Sequence, residues 1–196
     1  AYSSQHGSGL WSDGISDGCE NSTVEHNAVV DASDVGIILF HGSPAQTSTV
    51  EDNTVIQAGH GAFALLGMDP STGATANNSF VGAVMEDNTI WTAPTAVSTF
   101  GITDGTYAWF GTSAPIGTGA VVENNTAGSL GVTSETGIDV SGMLSTTVSG
   151  NALNWTAGTD PNSSCPSHEI GASVSAGYAS GSIQTPYTDT LYTTCV

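Results

Sequence analysis

The sequence predicts an all-β solenoid of about five coils, and three observations predict it. A six-residue element centred on an asparagine returns five times in 196 residues. A short glycine-led apolar element alternates with it. No stretch sustains a helical period, whereas apolar and polar residues alternate, rich in β-branched types, around each asparagine.

The asparagine elements are, in order, Val24–Val29, Val50–Val55, Met85–Ile90, Val122–Ala127 and Val148–Leu153. Their asparagines, Asn27, Asn53, Asn88, Asn125 and Asn151, follow one another at intervals of 26, 35, 37 and 26 residues. The alternating element reads Gly14-Ile15, Gly36-Ile37, Gly61-Ala62, Gly101-Ile102 and Gly137-Ile138. A unit this small cannot bury an apolar face alone and must stack on its neighbours. Asparagine between two short strands suits a tight turn because it tolerates a left-handed backbone. Stacked at about 4.8 Å, the five asparagines form a hydrogen-bonded ladder. Val24, Val50, Met85, Val122 and Val148 then make one inward column, and Val29, Val55, Ile90, Ala127 and Leu153 another.

These elements resemble the "VxxNxV" and "GIxL" repeats of the right-handed parallel β-helix in the pectin-lyase-like superfamily. The resemblance covers roughly residues 10–155 and is specific for architecture, since the superfamily hosts many activities. It implies one β-helical domain over 1–155, with inserted loops at 69–80 and 104–119, and a C-terminal capping segment over 156–196. Both loops follow a "GI" strand and are expected side by side on one flank.

Lysine and arginine are absent, eighteen residues are acidic, and the formal net charge is −18. Charged residues are 9% of the chain, against about 25% in ordinary domains, so the expected surface is neutral and rich in hydroxyls. Without cations, nucleic acid is excluded as a partner and anionic lipid is disfavoured. No run of eighteen apolar residues occurs, so no membrane insertion is expected. Trypsin-like proteases find no site, which suits an extracellular or cell-surface material.

Cysteine use points to an oxidising compartment. Cys165 and Cys195 are expected to bridge across the tail as a staple, closing a loop of about thirty residues worth around 3–4 kcal/mol. Cys19 is left over: a buried thiol in a coil turn, or a link to another chain. Sequons at Asn21, Asn77, Asn124, Asn154 and Asn162 are candidate glycosylation sites.

The resemblance implies a groove on the sheet of "GI" strands, with Ser16, Ile38, Phe63, Thr103 and Asp139 outward. Gly59-His60-Gly61 and Ser12-Asp13-Gly14 are similar to short motifs of polygalacturonases, which suggests Asp13, Asp34 and His60 as a catalytic set for a glycoside hydrolase. The arginine and lysine that such enzymes use on uronates are missing, so the implied substrate is a neutral polysaccharide. Tyr107, Trp109 and Phe110 on the second loop are candidate sugar platforms, with folding back over the sheet as the alternative. Glu25, Glu51, Glu86 and Glu123 stand two residues before four ladder asparagines. Stacked, they repel, and the choices are solvation, raised pKa values or a shared cation such as Ca²⁺.

No complete catalytic constellation emerges. The expected role is therefore a secreted or cell-surface structural or adhesive module, a self-assembling filament or sheath subunit that stacks axially or laterally on itself. A carbohydrate-active enzyme, or a glycan-binding remnant of one, is the alternative.

Overall fold

The computed structural model describes residues 12–40, 47–59, 62–69, 79–93, 96–105, 108, 117–157, 168–172 and 189–191. Strands come in triplets. The first is β1 (Ile15–Asp17), β2 (Thr23–Glu25) and β3 (Ala28–Val30); the second is β4 (Val35–Phe40), β5 (Thr49–Glu51) and β6 (Thr54–Gln57). Then follow β7 (Ala64–Asp69), β8 (Val84–Glu86) and β9 (Thr89–Thr92), and β10 (Ser98–Asp104), β11 (Gly117–Glu123) and β12 (Thr126–Ala127). The remaining strands are β13 (Val132–Val140), β14 (Met143–Ser149), β15 (Trp155–Ala157), β16 (His168–Ala172) and β17 (Asp189–Leu191).

The strands form three sheets, ordered β1-β4-β7-β10-β13-β16-β17 with β15 beside β13, β14-β11-β8-β5-β2, and β12-β9-β6-β3. Among the described residues every strand pairing is parallel. Parallel neighbours need a crossover between them. In the first four triplets that crossover is the other two strands of the triplet, a pattern compatible with a parallel β-helix or solenoid.

Register makes the predicted columns real. Val24, Val50, Met85, Val122 and Val148 align through successive pairs, as do Val29, Val55, Ile90 and Ala127. A third column runs Ile15, Ile37, Leu66, Ile102 and Ile138. Their buried members belong to one core cluster. Each fully buried aliphatic side chain contributes about 1.5–3 kcal/mol.

Two expectations fail on register. Gly61-Ala62 is not the third "GI" element; Ile37 pairs with Leu66, so Leu65-Leu66 fills that position. The glycine is needed where a neighbour's backbone closes in. A Cβ on Gly36 would lie 2.3 Å from Val55 Cγ1 and 2.4 Å from the Leu65 carbonyl oxygen. Leu65 occupies the equivalent place with its side chain in the core. Counting back from asparagine could not see this, because the insertion before Asn88 hides the offset.

The second failure concerns the turn. The left-handed residue is not the ladder asparagine but the one before it: His26, Asp52, Asp87 and Asn124 have φ of 54–58°, and Gly150 has 68°. Histidine, aspartate, asparagine and glycine are the types that tolerate this region best. Freed from that duty, the asparagine turns its amide along the stack.

Candidate functional site

Three polar arrangements stand out: the asparagine ladder, the acidic line beside it, and a set of aspartates on the long sheet. In the ladder, the backbone N–H and side-chain amide of each asparagine both donate to Oδ1 of the next. Asn27 donates to Asn53 at 3.0 Å for both bonds, Asn53 to Asn88 likewise, Asn88 to Asn125 at 3.1 and 2.9 Å, and Asn125 to Asn151 at 3.0 and 2.9 Å. The same amides also reach backbone carbonyls one triplet back, such as Val24 from Asn53 and Val50 from Asn88. The ladder therefore has a direction, with acceptors facing its first end and donors its last. The Asn27 Oδ1 at the β1–β2–β3 edge accepts no hydrogen bond from the described residues.

Glu25, Glu51, Glu86 and Glu123 do align, rung on rung, and Ser149 takes the next place. Ser149 donates to Glu123 at 3.1 Å. Asp52 and Asp87 follow Glu51 and Glu86 as left-handed turn residues, so a second carboxylate column flanks the first. Glu86, inside the line, has its pKa raised, first by partial desolvation and then by Asp87, Glu123, Glu51 and Asp52. The His26 ring lies 3.9 Å from Glu25, with both side chains exposed, and an exposed pair like this is weak. Among the described residues no group of three or more His, Cys, Asp or Glu side chains is placed to hold a metal ion. The glutamates form a line rather than a cage.

On the long sheet, the outward column is Ser16, Ile38, Gly67, Thr103 and Asp139. Phe63 is not in it, a correction that follows from the shifted third element. The column is also not the floor of an open groove: Ile38 is 3% exposed, and Thr103 and Asp139 are fully buried. Ile38 packs in a second apolar cluster with Val35, Ala64, Phe100 and Ala108, bordered by Phe63. Phe63 meets Phe100 edge-on, with ring centroids 5.1 Å apart. Ala108, from the segment after β10, thus sits on the face where a substrate was expected to lie.

Of the suggested catalytic set, Asp13 and Asp34 are brought together. Asp13 accepts from the Val35 N–H at 3.1 Å and from the Ser16 hydroxyl. Asp34 is pushed up to about 6, by burial first and by the neighbouring Asp13 second. His60 lies outside the described residues, as do Tyr107, Trp109, Phe110, Cys165, Cys195, Asn77 and Asn162. Asn21, Asn124 and Asn154 are exposed and left-handed, at φ of 55, 55 and 45°. Cys19 is a free thiol and exposed, which corrects the expectation of a buried one.

Asp104, expected at the start of the second inserted loop, and Asp139, expected on an open groove, are placed differently. Asp104 aligns with Met68 and Val140, places where a core residue stands, and Asp139 aligns with Thr103. Both are fully buried. Asp104 accepts from the Thr146 hydroxyl across the core. Asp139 accepts from Ser141 at 2.6 Å and Thr103 at 3.3 Å. In each, the other carboxyl oxygen, Oδ1, is buried without a hydrogen-bond partner. For Asp104 a signal existed in the sequence, an aspartate two residues after the inward Ile102, whereas Asp139 stands on the outward face and alternation gives no sign of its burial.

No protein-family model matches the chain, and neither the curated proteins nor the solved structures include a significant match.

Proposed function

We propose that this chain is a secreted or cell-surface structural module that stacks on itself. In this reading it forms a right-handed parallel β-helix of about five coils, like those of the pectin-lyase-like superfamily, with 156–196 as an irregular cap. The observation that supports the reading is the polarity of the ladder. Among the described residues Asn27 Oδ1 accepts no hydrogen bond and β1, β2 and β3 are the outermost strands of their sheets, and a free parallel edge is a template for another strand. Repulsion between copies of net charge −18 opposes assembly at low ionic strength, so salt should promote it. Gel filtration with light scattering across concentration and salt, alongside negative-stain microscopy, tests the reading. Concentration-dependent rods support it, and a strictly monomeric particle in high salt at high concentration sinks it.

A second reading rests on Asp13 and Asp34. Two adjacent carboxyls, one of them raised to about 6, are the chemistry of a general acid beside a carboxylate base. This reading makes the chain a carbohydrate-active enzyme or glycan-binding remnant acting on a neutral polysaccharide, with Tyr107, Trp109 and Phe110 as sugar platforms. Reducing-sugar assays and a glycan array separate the two readings. Turnover abolished by Asp34→Asn would favour the enzyme, and binding without turnover the remnant.

A further inference from the structure

Asp104 and Asp139 are fully buried on adjacent strands, and the chain owns no lysine or arginine with which to neutralise them. Burying an ionised carboxylate without a cation or a full set of donors is strongly unfavourable. Asp104 and Asp139 have hydroxyl donors at Oδ2 only, and each Oδ1 is an orphan. The two segments that carry these carboxyls approach each other closely. Ser141 N–H donates to the Asp104 carbonyl at 3.0 Å. A Cβ on Gly105, whose φ is 121°, would lie 2.0 Å from the Ser141 carbonyl oxygen, so β10 and the turn after β13 close tightly on each other.

We propose that Asp104 and Asp139 are a pair of proton-binding sites that tie the packing of β10, β13 and β14 to pH. Protons fit better than a metal for a geometric reason. Alternation puts Asp104 on the core face of the sheet, with Met68 and Val140, and Asp139 on the opposite face, with Thr103 and Ile38. Two carboxyls on opposite faces cannot converge on one ion, and a hard cation wants about six oxygen ligands or more.

No lysine or arginine is available to take the place of the protons. Among the described residues, Asp104 stands in register between Met68 of β7 and Val140 of β13 and accepts from Thr146 of β14. Asp139 faces Thr103 from β10, Gly171 from β16 and Ser141 after its own strand. Asp69, the residue after Met68, is a further buried aspartate, at the end of β7. His168 stands on β16 opposite Thr136, three register positions from Gly171. Burial accordingly pushes both carboxyls up to about 7, against the lowering effect of the hydroxyl bonds, and Asp104 adds to the rise at Asp139.

The sign follows from linkage. An unfolded aspartate titrates at about 3.9, so between about pH 4 and 7 the native chain holds protons that the unfolded chain has lost. Stability conferred by these groups is full below that window and is lost as pH rises through it. The test is proton uptake on refolding at about pH 6, read by calorimetry in buffers of different ionisation enthalpy, for wild type, Asp104→Asn and Asp139→Asn. Each replacement should lower uptake by about one proton and flatten the fall of melting temperature with pH. Unchanged uptake in both variants overturns the proposal. Should a variant fail to fold, infrared spectroscopy of the wild type carries the test. A buried protonated-carboxyl C=O stretch must be present at about pH 6 and lost above about pH 8; its absence overturns the proposal. Alkaline stability restored by millimolar Ca²⁺ but not by Mg²⁺, and no longer restored in Asp104→Asn or Asp139→Asn, would also overturn it, in favour of a metal.

Discussion

The side-chain amide of Asn88 lies 2.9 Å from Oδ1 of Asn125, thirty-seven residues along the chain. It is also 2.9 Å from the carbonyl oxygens of Val50 and Glu86, so one amide joins three successive strand triplets. Asn88 is fully buried. Replacing it with alanine strands the Asn53 donors and several carbonyls at once. A loss of about 3 kcal/mol or more is expected, since each buried unsatisfied group costs about 1–3 kcal/mol. Asn27→Ala, at the edge and partly exposed, should cost about 1 kcal/mol or less. Urea denaturation of both variants checks the ratio; equal losses would refute a ladder that is dry inside and wet at its end.

Gly36 and Gly59 offer a second contrast. A Cβ at Gly36 collides with Val55 and with the Leu65 backbone, whereas at Gly59, among the described residues, it meets the Asp31 carboxylate alone, at 3.3 Å. Gly36→Ala should destabilise by about 2–4 kcal/mol, within the range of overpacking and backbone displacement. Gly59→Ala should stay within about 1 kcal/mol. Thermal unfolding of the two proteins decides.

Asp87 combines a left-handed backbone, φ of 54°, with a charge that raises the pKa of Glu86. Asp87→Gly removes both burdens. The glycine variant should be at least as stable as wild type at about pH 7, with the Glu86 titration moved down toward its ordinary value of about 4.3. Asp87→Val keeps the backbone strain and adds a β-branch, and should lose about 1–2 kcal/mol. Carboxyl-carbon NMR titration and chemical denaturation read the two effects separately.

Acid should stabilise through Asp34 as well. Its carboxyl is raised to about 6 by burial and by Asp13. The native state therefore keeps a proton that the unfolded chain releases above about pH 4. That stability is lost as pH rises from about 4 to 6, and Asp34→Asn should remove this part of the slope. Melting curves across this interval suffice, and an unchanged slope would mean that Asp34 titrates normally.

Calcium is expected to act on the glutamate line as a counterion cloud. Four aligned carboxylates with no cation in the chain attract divalent ions without a cage to select them. Millimolar Ca²⁺ and Mg²⁺ should raise the melting temperature equally, and both effects should fade at high salt. A response to calcium alone would point to a specific site.

The periodic part of this protein was legible in its sequence. Val50, Met85 and Val122 recur with Asn53, Asn88 and Asn125 because a stack of parallel strands puts equal residues on equal neighbours, so one-dimensional repetition carries three-dimensional information. The parallel sheets, the inward columns and the ladder all followed from that. What repetition could not carry was decided by tertiary contact. Leu65-Leu66, not Gly61-Ala62, pairs with Gly36-Ile37, because strand hydrogen bonding rather than residue counting sets register across an insertion. The left-handed turn fell on Asp52 and Asp87, because Asn53 and Asn88 gain more by bridging triplets than by making the turn. Above all, Asp104 and Asp139 read as ordinary polar residues until packing enclosed them. Burial is a property of the surroundings, and a carboxyl acquires an unusual proton affinity only when neighbours distant in sequence take away its water.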